Sequence, residues 1–349
     1  QGFYEALLAR LKTEGIDREL PREPVNIVEQ ATVPSVNQPI KPNLILNTIM
    51  SVVVGLGLGI GLAYFIEYLD TSVKTVEDVE QFLGTSVVGV IPQKTGLLIK
   101  EGPDSPHAEA YRVLRTNLQL SASGDEGGAF ALSSGGVGEG KSTTLFNLAY
   151  ICATMGKKVL VVDSDMRRPV QHKHFGVSND FGLTNVLMRD VPAEEAIKTT
   201  DTPNLHFMPS GRLPRGAVGL LDNRRVRDLV ADLKTRYDYV FFDSPPVMGV
   251  SDASILASEM DGVILVVQYR KYPRTMSLRA KQVLENIGAR VIGVVLNNIN
   301  VMRDDNYFYY SSYYSHYANT DNTLDEGQSL GTQENPSKAD RVTQTEERF

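Results

Sequence analysis

The sequence predicts an α/β fold: a mostly parallel sheet with helices on both faces, preceded by one transmembrane helix and followed by a flexible tyrosine-rich tail. Three observations support this prediction. From about residue 84, short apolar stretches alternate with helical stretches, as in parallel sheets. An uncharged apolar run comes before this region. A polar stretch that opens with clustered tyrosines comes after it.

The composition is that of a globular chain with a modest negative charge. Its 349 residues are 42% hydrophobic and 22% charged, which indicates two domains, or one large domain with additions, and argues against wholesale disorder. Acidic residues number 42 and basic residues 35, so we expect no nucleic-acid partner. The single cysteine, Cys152, allows no internal disulfide, and the histidines show no zinc spacing.

The first 43 residues predict one helix and an extended linker. Because the chain begins with Gln1 rather than Met, we expect a fragment or a processed chain. A helix is predicted over residues 3–14, where apolar side chains recur with a helical period at Phe3, Leu7, Leu8 and Leu11. Five prolines between residues 21 and 42 then favour an extended linker.

Residues 42–66 contain no Asp, Glu, Lys or Arg. The run from Leu44 to Ile66 would be about 34 Å long as a helix, enough to cross a hydrocarbon layer of about 30 Å. We therefore predict a transmembrane helix over residues 44–66, with a buried core helix as the alternative. Glycines at alternate positions from 55 to 61 form two overlapping G-x-x-x-G patterns, which permit close contact with another helix.

The predicted α/β region contains seven strands and five main helices. Candidate strands cover residues 87–91, 129–133, 158–163, 204–208, 238–243, 262–267 and 290–296. Candidate helices cover residues 107–121, 141–155, 223–236, 251–258 and 274–287. The unbroken apolar strands predict a sheet buried on both faces. We place a linker at 67–105, the main domain at 106–300, a tyrosine cluster at 301–317 and a disordered acidic tail at 318–349.

The stretch SSGGVGEGKST follows the second candidate strand and precedes an apolar helix. Gly135 and the run Gly140-Lys141-Ser142 match the phosphate-binding pattern G-x-x-x-x-G-K-[ST], and Gly138, Glu139 and Thr143 complete the predicted ATP-binding loop. Its backbone N–H groups wrap the phosphates, while the lysine reaches the β- and γ-phosphates and the serine holds Mg²⁺. The strand before it and the helix after it predict a P-loop NTPase-like fold with ATP and Mg²⁺ as cofactors.

Acidic residues end two further candidate strands. Asp163 and Asp165 follow VLVV, and Asp243 follows YVFF. Ligands bind beyond the carboxyl ends of strands in open α/β sheets, so these carboxylates are predicted to converge on the P-loop. We assign Ser142, Asp165 and Asp243 to Mg²⁺ and Asp163 to accepting a proton, although the division between Asp163 and Asp165 stays open.

Arg167 and Arg168 follow the second of these acids. They could stabilise charge or position an acidic peptide, and surface salt bridges are the alternative.

The motifs GEGKST, VLVVDSDMRRP and VFFDSPPV together resemble those of the bacterial tyrosine kinases (BY-kinases) of capsule and exopolysaccharide systems. In this resemblance, VLVVDSDMRRP corresponds to a modified Walker A-prime motif and DSPPVMGVSDA, with Asp252, to the Walker B region. Asn297 corresponds to the adenine-contacting end of the last strand. Glu109, Arg112 and Arg115 correspond to the E-x-x-R-x-x-R oligomerisation motif. One departure is Val137, which stands where a proline is expected.

The resemblance also implies a cellular setting. It implies an inner-membrane protein with an outward stalk ending in residues 1–43 and a cytoplasmic kinase domain. It further implies self-association into a ring, contact with polysaccharide polymerase and export machinery, and a cognate tyrosine phosphatase. The flanking charges do not orient the membrane span, so the cytosolic supply of ATP sets the expected orientation.

Six of the 15 tyrosines lie within eleven residues. The resemblance implies that they are phosphoacceptors for autophosphorylation: Tyr307, Tyr309, Tyr310, Tyr313, Tyr314 and Tyr317. The tail could fold back onto its own kinase site or enter a neighbouring subunit, and we predict transfer in trans within a ring. A sticky aromatic segment is the alternative.

Two other functions remain open. One is a P-loop switch ATPase, although such proteins carry a second lysine early in the loop, and SSGGVGEGK does not. The other is a membrane-tethered scaffold that binds ATP passively.

Overall fold

The computed structural model describes residues 2–13, 28–29, 41–121, 127–189, 191–213, 223–249 and 251–300. The chain divides into two units, Gln1–Leu69 and Asp70–Phe349. The described residues of the first unit form two helices, α1 (Gly2–Thr13) and α2 (Leu44–Leu69). The 26 residues of α2 are long and apolar enough to cross a membrane by length and composition, and none of them is buried. The helix continues three residues past the predicted end at Ile66.

In the described part of the second unit, ten helices accompany an eight-stranded sheet. The helices are α3 (Val76–Leu83), α4 (Leu98–Glu101), α5 (Pro106–Ser121), α6 (Lys141–Thr154), α7 (Gln171–His174), α8 (Leu183–Arg189), α9 (Ala193–Ala196), α10 (Asn223–Lys234), α11 (Ser251–Ser258) and α12 (Arg274–Asn286). The strands are β1 (Val87–Pro92), β2 (Gly128–Ser134), β3 (Val159–Asp163), β4 (Lys198–Thr199), β5 (Leu205–Met208), β6 (Tyr239–Asp243), β7 (Gly262–Gln268) and β8 (Val291–Ile299).

The strand order is β1-β8-β7-β2-β6-β3-β5-β4. All neighbouring pairs are parallel except β4 with β5, which confirms the predicted mostly parallel sheet. The P-loop strand β2 lies in the middle, between β7 and β6, and β3 lies beside β6. This order brings the carboxyl ends of β2, β6 and β3 together at one edge of the sheet.

Both faces of the sheet are packed. Along β2, Ala129 and Ala131 join one apolar cluster, while Phe130 and Leu132 join another on the opposite face. The first cluster receives residues of α3, α8, α10, α11 and α12, and the second receives residues of α5 and α6. This alternation follows from the two-residue period of a strand and explains why the strands are apolar throughout.

The second unit begins at Asp70. A capping box between Thr75 and Asp78 starts α3, and Gly84 ends it in the left-handed conformation. Val79 and Leu83 of this helix are buried in the core, and β1 pairs with β8. Residues of α3 and β1 thus take part in the core and the sheet of this unit.

Candidate active site

The P-loop connects β2 to α6 and needs glycine at two positions. Gly138 and Gly140 have φ values of 76° and 89°, a region that glycine adopts without a steric penalty. A Cβ on Gly140 would lie 2.0 Å from Nδ2 of Asn297. The last strand therefore lies against the loop, and its Asn297 donates a hydrogen bond of 2.8 Å to the Glu139 carbonyl.

Lys141 lies at the centre of the site. Its Nζ is 2.8 Å from Asp243 Oδ1, 3.4 Å from Asp165 Oδ2 and 3.3 Å from Ser142 Oγ. Only 11% of its side chain is exposed. Burial lowers the pKa of Lys141, but the charges of Asp243 and Asp165 outweigh burial, and the net result is a raised pKa. Lys141 is therefore held as an ammonium group among carboxylates.

Asp163 differs from the other two carboxylates in its contacts. It is in register with Asp243 across β3 and β6. Its Oδ2 accepts hydrogen bonds from the N–H groups of Val170 (3.2 Å) and Gln171 (3.1 Å). Its Oδ1 is buried with no hydrogen-bond partner among the described residues. Burial first, and then the charge of Asp243, raise the pKa of Asp163 well above its usual range.

Asp165 is the third carboxylate. Its Oδ1 accepts a hydrogen bond of 3.1 Å from the Arg168 N–H, while its Oδ2 faces Lys141. Burial raises the pKa of Asp165, and the Lys141 ammonium opposes that rise. The structure thus brings the predicted Lys141, Ser142, Asp163, Asp165 and Asp243 together in one cluster.

The oxygens around Lys141 suit a magnesium ion bound with a nucleotide. Mg²⁺ prefers hard oxygen ligands and usually takes one or two carboxylates together with phosphates and water. Asp165, Asp243 and the Ser142 hydroxyl provide such oxygens at one point. Among the described residues, no group of three or more His, Cys, Asp or Glu side chains could hold a metal ion by itself.

Both carboxylate oxygens of Glu139 accept hydrogen bonds from backbone N–H groups. Its Oε2 accepts a 2.7 Å hydrogen bond from Gly136 N–H, and its Oε1 accepts one of 3.3 Å from Gln268 N–H. Burial raises the pKa of this carboxyl. The observed contacts of Glu139 shape the loop, and its predicted contact with ATP stays a prediction.

A pocket of about 190 Å³ opens beside the loop. Gly138, Gly140 and Thr143 of the P-loop and α6 line one side, and Asn297 lines another. Tyr111 of α5 also borders it. Three predicted ATP-binding positions and the predicted adenine-contacting residue thus line one cavity.

Comparisons with known proteins agree with this geometry. Residues 129–289 match a family model described as an AAA domain. The tyrosine-protein kinase YwqD of Bacillus subtilis is 34% identical over 210 residues, which cover 60% of this chain and 89% of YwqD. The chain belongs to the bacterial tyrosine-protein kinase family.

Members of this family are ATP-dependent phosphotransferases. The putative tyrosine-protein kinase EpsB of Ralstonia nicotianae is 32% identical over 79% of this chain, but the matched region covers only 39% of EpsB. Among solved structures, the kinase domain of the Escherichia coli tyrosine kinase ETK has a TM-score of 0.62 and 27% identity, and covers 66% of this chain and 96% of that domain.

Gln171 is a residue of the kinase site that the sequence analysis did not identify. It is fully buried, and its Nε2 donates hydrogen bonds to Asp243 Oδ2 (3.0 Å) and to the Ser142 carbonyl (2.9 Å). It begins the four-residue helix α7. A buried glutamine eight residues after an acidic strand end carries no pattern by which it could have been found.

Arg167, two residues after Asp165, contacts a residue of the predicted Walker B region. Arg167 Nε donates to Asp252 Oδ2 at 3.1 Å. The structure thus joins two residues from separate sequence motifs in one ion pair.

The residues of the predicted oligomerisation motif lie on α5 and have contacts within the chain. Arg112 pairs with Glu109 at 3.0 Å and donates to the Pro103 carbonyl at 2.8 Å. Nε of Arg115 is buried with no hydrogen-bond partner among the described residues. A role in self-association stays a prediction for all three residues. The tyrosine cluster of residues 307–317 lies outside the described residues.

Proposed function

We propose that this chain is an ATP-dependent protein-tyrosine autokinase that phosphorylates its own C-terminal tyrosine cluster. The observation that carries the proposal is that the carboxylates around the P-loop lysine differ in their contacts. Asp165 and Asp243 face Lys141, whereas Oδ1 of Asp163 has no hydrogen-bond partner within the described part of the chain. Phosphoryl transfer requires charge neutralisation at one point and a proton acceptor at another.

Each residue then has a role in the reaction. The loop N–H groups and Lys141 bind the β- and γ-phosphates. Ser142, Asp165 and Asp243 hold Mg²⁺, which supplies charge neutralisation to the transferred phosphoryl group when it is bound. Asp163 accepts the proton of the tyrosine hydroxyl, whose ordinary pKa is about 10. The raised pKa of Asp163 makes it a stronger base than an exposed carboxylate.

The cellular setting belongs to the same proposal. The apolar helix α2 spans the bacterial inner membrane once, with the kinase domain in the cytoplasm. Glu109, Arg112 and Arg115 of α5 build a ring in which each tail enters a neighbouring subunit. The kinase regulates polymerisation and export of capsule or exopolysaccharide, and a cognate phosphatase reverses its reaction. The length, the apolar character and the exposure of α2 support the membrane location.

Incubation with ATP and Mg²⁺, followed by mass-spectrometric mapping of phosphorylated residues, tests this proposal. We expect phosphotyrosine between residues 307 and 317 and none in a Lys141→Met variant. ATP hydrolysis without phosphotyrosine would instead indicate a switch ATPase. Unchanged phosphorylation of Lys141→Met would indicate a scaffold that another enzyme modifies.

A mixing experiment tests transfer in trans. Lys141→Met chains with intact tails are combined with active chains in which all six cluster tyrosines are phenylalanine. Phosphate on the Lys141→Met chains is the expected result, and its absence would contradict transfer between subunits.

A further inference from the structure

The outer side of the P-loop is bonded to the connection between β7 and α12. The hydroxyl of Tyr272 donates a hydrogen bond of 3.0 Å to the Val137 carbonyl. The Nζ of Lys271 donates one of 2.5 Å to the Gly138 carbonyl. Two consecutive carbonyl groups of the loop are thus bound by two consecutive side chains of a distant segment.

The same segment reaches the loop at two further points. The N–H of Gln268 donates to the Glu139 carboxylate, so three consecutive loop residues receive bonds from residues 268–272. The ring of Tyr272 lies so close to Gly136 that a Cβ there would be 2.5 Å from a ring carbon. Ring contact and hydrogen bonds therefore hold the loop along its outer face.

The loop needs such support because its own backbone restricts it little. Gly138 and Gly140 have positive φ values, and glycine loses more conformational freedom than other residues when it is ordered. Val137, 53% exposed, leaves its φ free where a proline would restrict it. A P-loop binds phosphates through N–H groups that must point to one centre, so its carbonyls point outward and are available to this connection.

The connection is itself held from the opposite side. The N–H of Arg270 donates to the Val73 carbonyl at 2.9 Å, and that of Arg274 donates to the Thr71 carbonyl at 3.0 Å. Ser72 forms an isolated antiparallel bridge with Pro273. Val73 is fully buried in the core. Backbone hydrogen bonds on both sides thus fix Lys271 and Tyr272 in place.

We propose that Lys271 and Tyr272 form a clamp that positions the P-loop for nucleotide binding. Both are positioning residues: they hold the outward carbonyls and thereby keep the inward N–H groups converged on the phosphates. The inference rests on the proposed function only in taking a nucleoside triphosphate or diphosphate as the ligand.

Nucleotide binding by the full chain in detergent tests the clamp. Tyr272→Phe removes one hydrogen bond and keeps the ring, and Lys271→Met removes the other. We expect each variant to bind Mg-ADP about 3- to 10-fold more weakly, with a similar rise in KM for ATP and kcat within about twofold. Lys271→Arg keeps a donor and is expected to restore most of the affinity.

Tyr269→Phe is the matched control, since it also removes a tyrosine hydroxyl, at a position three residues before Tyr272. The Tyr269 hydroxyl makes no hydrogen bond to residues 134–142, all of which the structure describes, and its ring packs against the core. We expect its nucleotide affinity to equal that of the wild type. Amide hydrogen exchange of the nucleotide-free protein gives a second measurement. We expect faster exchange at residues 135–141 in Tyr272→Phe and Lys271→Met, but not in Tyr269→Phe.

The possible outcomes separate the clamp from the proposed function. Wild-type affinity and exchange in the Lys271→Met/Tyr272→Phe double variant would overturn the clamp. Weaker binding with unchanged exchange would also overturn it, because it would mean direct contact with the nucleotide. If the wild type makes no phosphotyrosine while both clamp variants lose affinity and exchange faster, the proposed function fails and the clamp is supported.

Discussion

Replacement of Lys141 by methionine is expected to destabilise the nucleotide-free kinase domain as well as abolish phosphorylation. Lys141 neutralises Asp165 and Asp243, whose side chains are 9% and 1% exposed. Removal of one partner from a buried ion pair costs about 3–5 kcal/mol, because the remaining charge is buried without compensation. The lower end applies, since Asp163 and Asp165 already have raised pKa values and can take up protons.

A loss of about 3 kcal/mol lowers Tm by about 6–12 °C in a domain of this size. The loss of stability relative to the wild type is expected to be smaller at lower pH. Loss of the ammonium group raises the pKa values of Asp163 and Asp165 in the folded state, where Lys141 lies beside them. The pKa values in the unfolded chain do not change in this way. The folded variant therefore binds more protons than the unfolded one as pH falls, and it regains stability between pH 7.5 and 5.5.

Thermal unfolding of the detergent-solubilised chain at pH 7.5 and 5.5 measures both effects. Lys198→Met, at an exposed lysine of β4, is the control and is expected to change Tm by less than about 2 °C. The reasoning is wrong if Lys141→Met is as stable as the wild type at pH 7.5. A deficit of the same size at both pH values would refute the role of carboxyl protonation.

Three further substitutions test individual contacts. Asp163→Asn removes repulsion with Asp243 and keeps an acceptor oxygen, so we expect equal or higher Tm at pH 7.5 and at least about 100-fold slower phosphorylation; a clear loss of Tm would contradict this. Gln171→Leu removes the hydrogen bond to Asp243 and should lower kcat/KM about 10-fold, whereas an unchanged value would show that Gln171 does not contribute to the reaction. Gly140→Ala should unfold at lower temperature than Gly156→Ala and bind nucleotide more weakly. Both glycines have positive φ, but only at Gly140 would a Cβ meet another atom within 4 Å, so equal Tm losses would refute the steric argument.

Local sequence patterns predicted most of the sheet. The observed β2, β3, β6 and β7 begin and end within one residue of their predicted bounds, because each is an unbroken apolar run bounded by polar residues or glycine. β4, with two residues, and α7, with four, are too short to show a period. The pairing of β1 with β8, about 200 residues later in the chain, has no local pattern from which it could be predicted.

The sequence by itself predicted which residues have the chemistry of phosphoryl transfer, since the loop motif and the acidic strand ends are each contiguous in the chain. Only the tertiary structure decided how their side chains contact one another. Strand order and register place Asp243 against Lys141 and beside Asp163, and they leave one oxygen of Asp163 without a hydrogen bond from any residue that the structure describes. The same holds for Lys271 and Tyr272, which meet the P-loop more than 130 residues away. No local pattern encodes such contacts, because they form only when separate strands pack into one sheet.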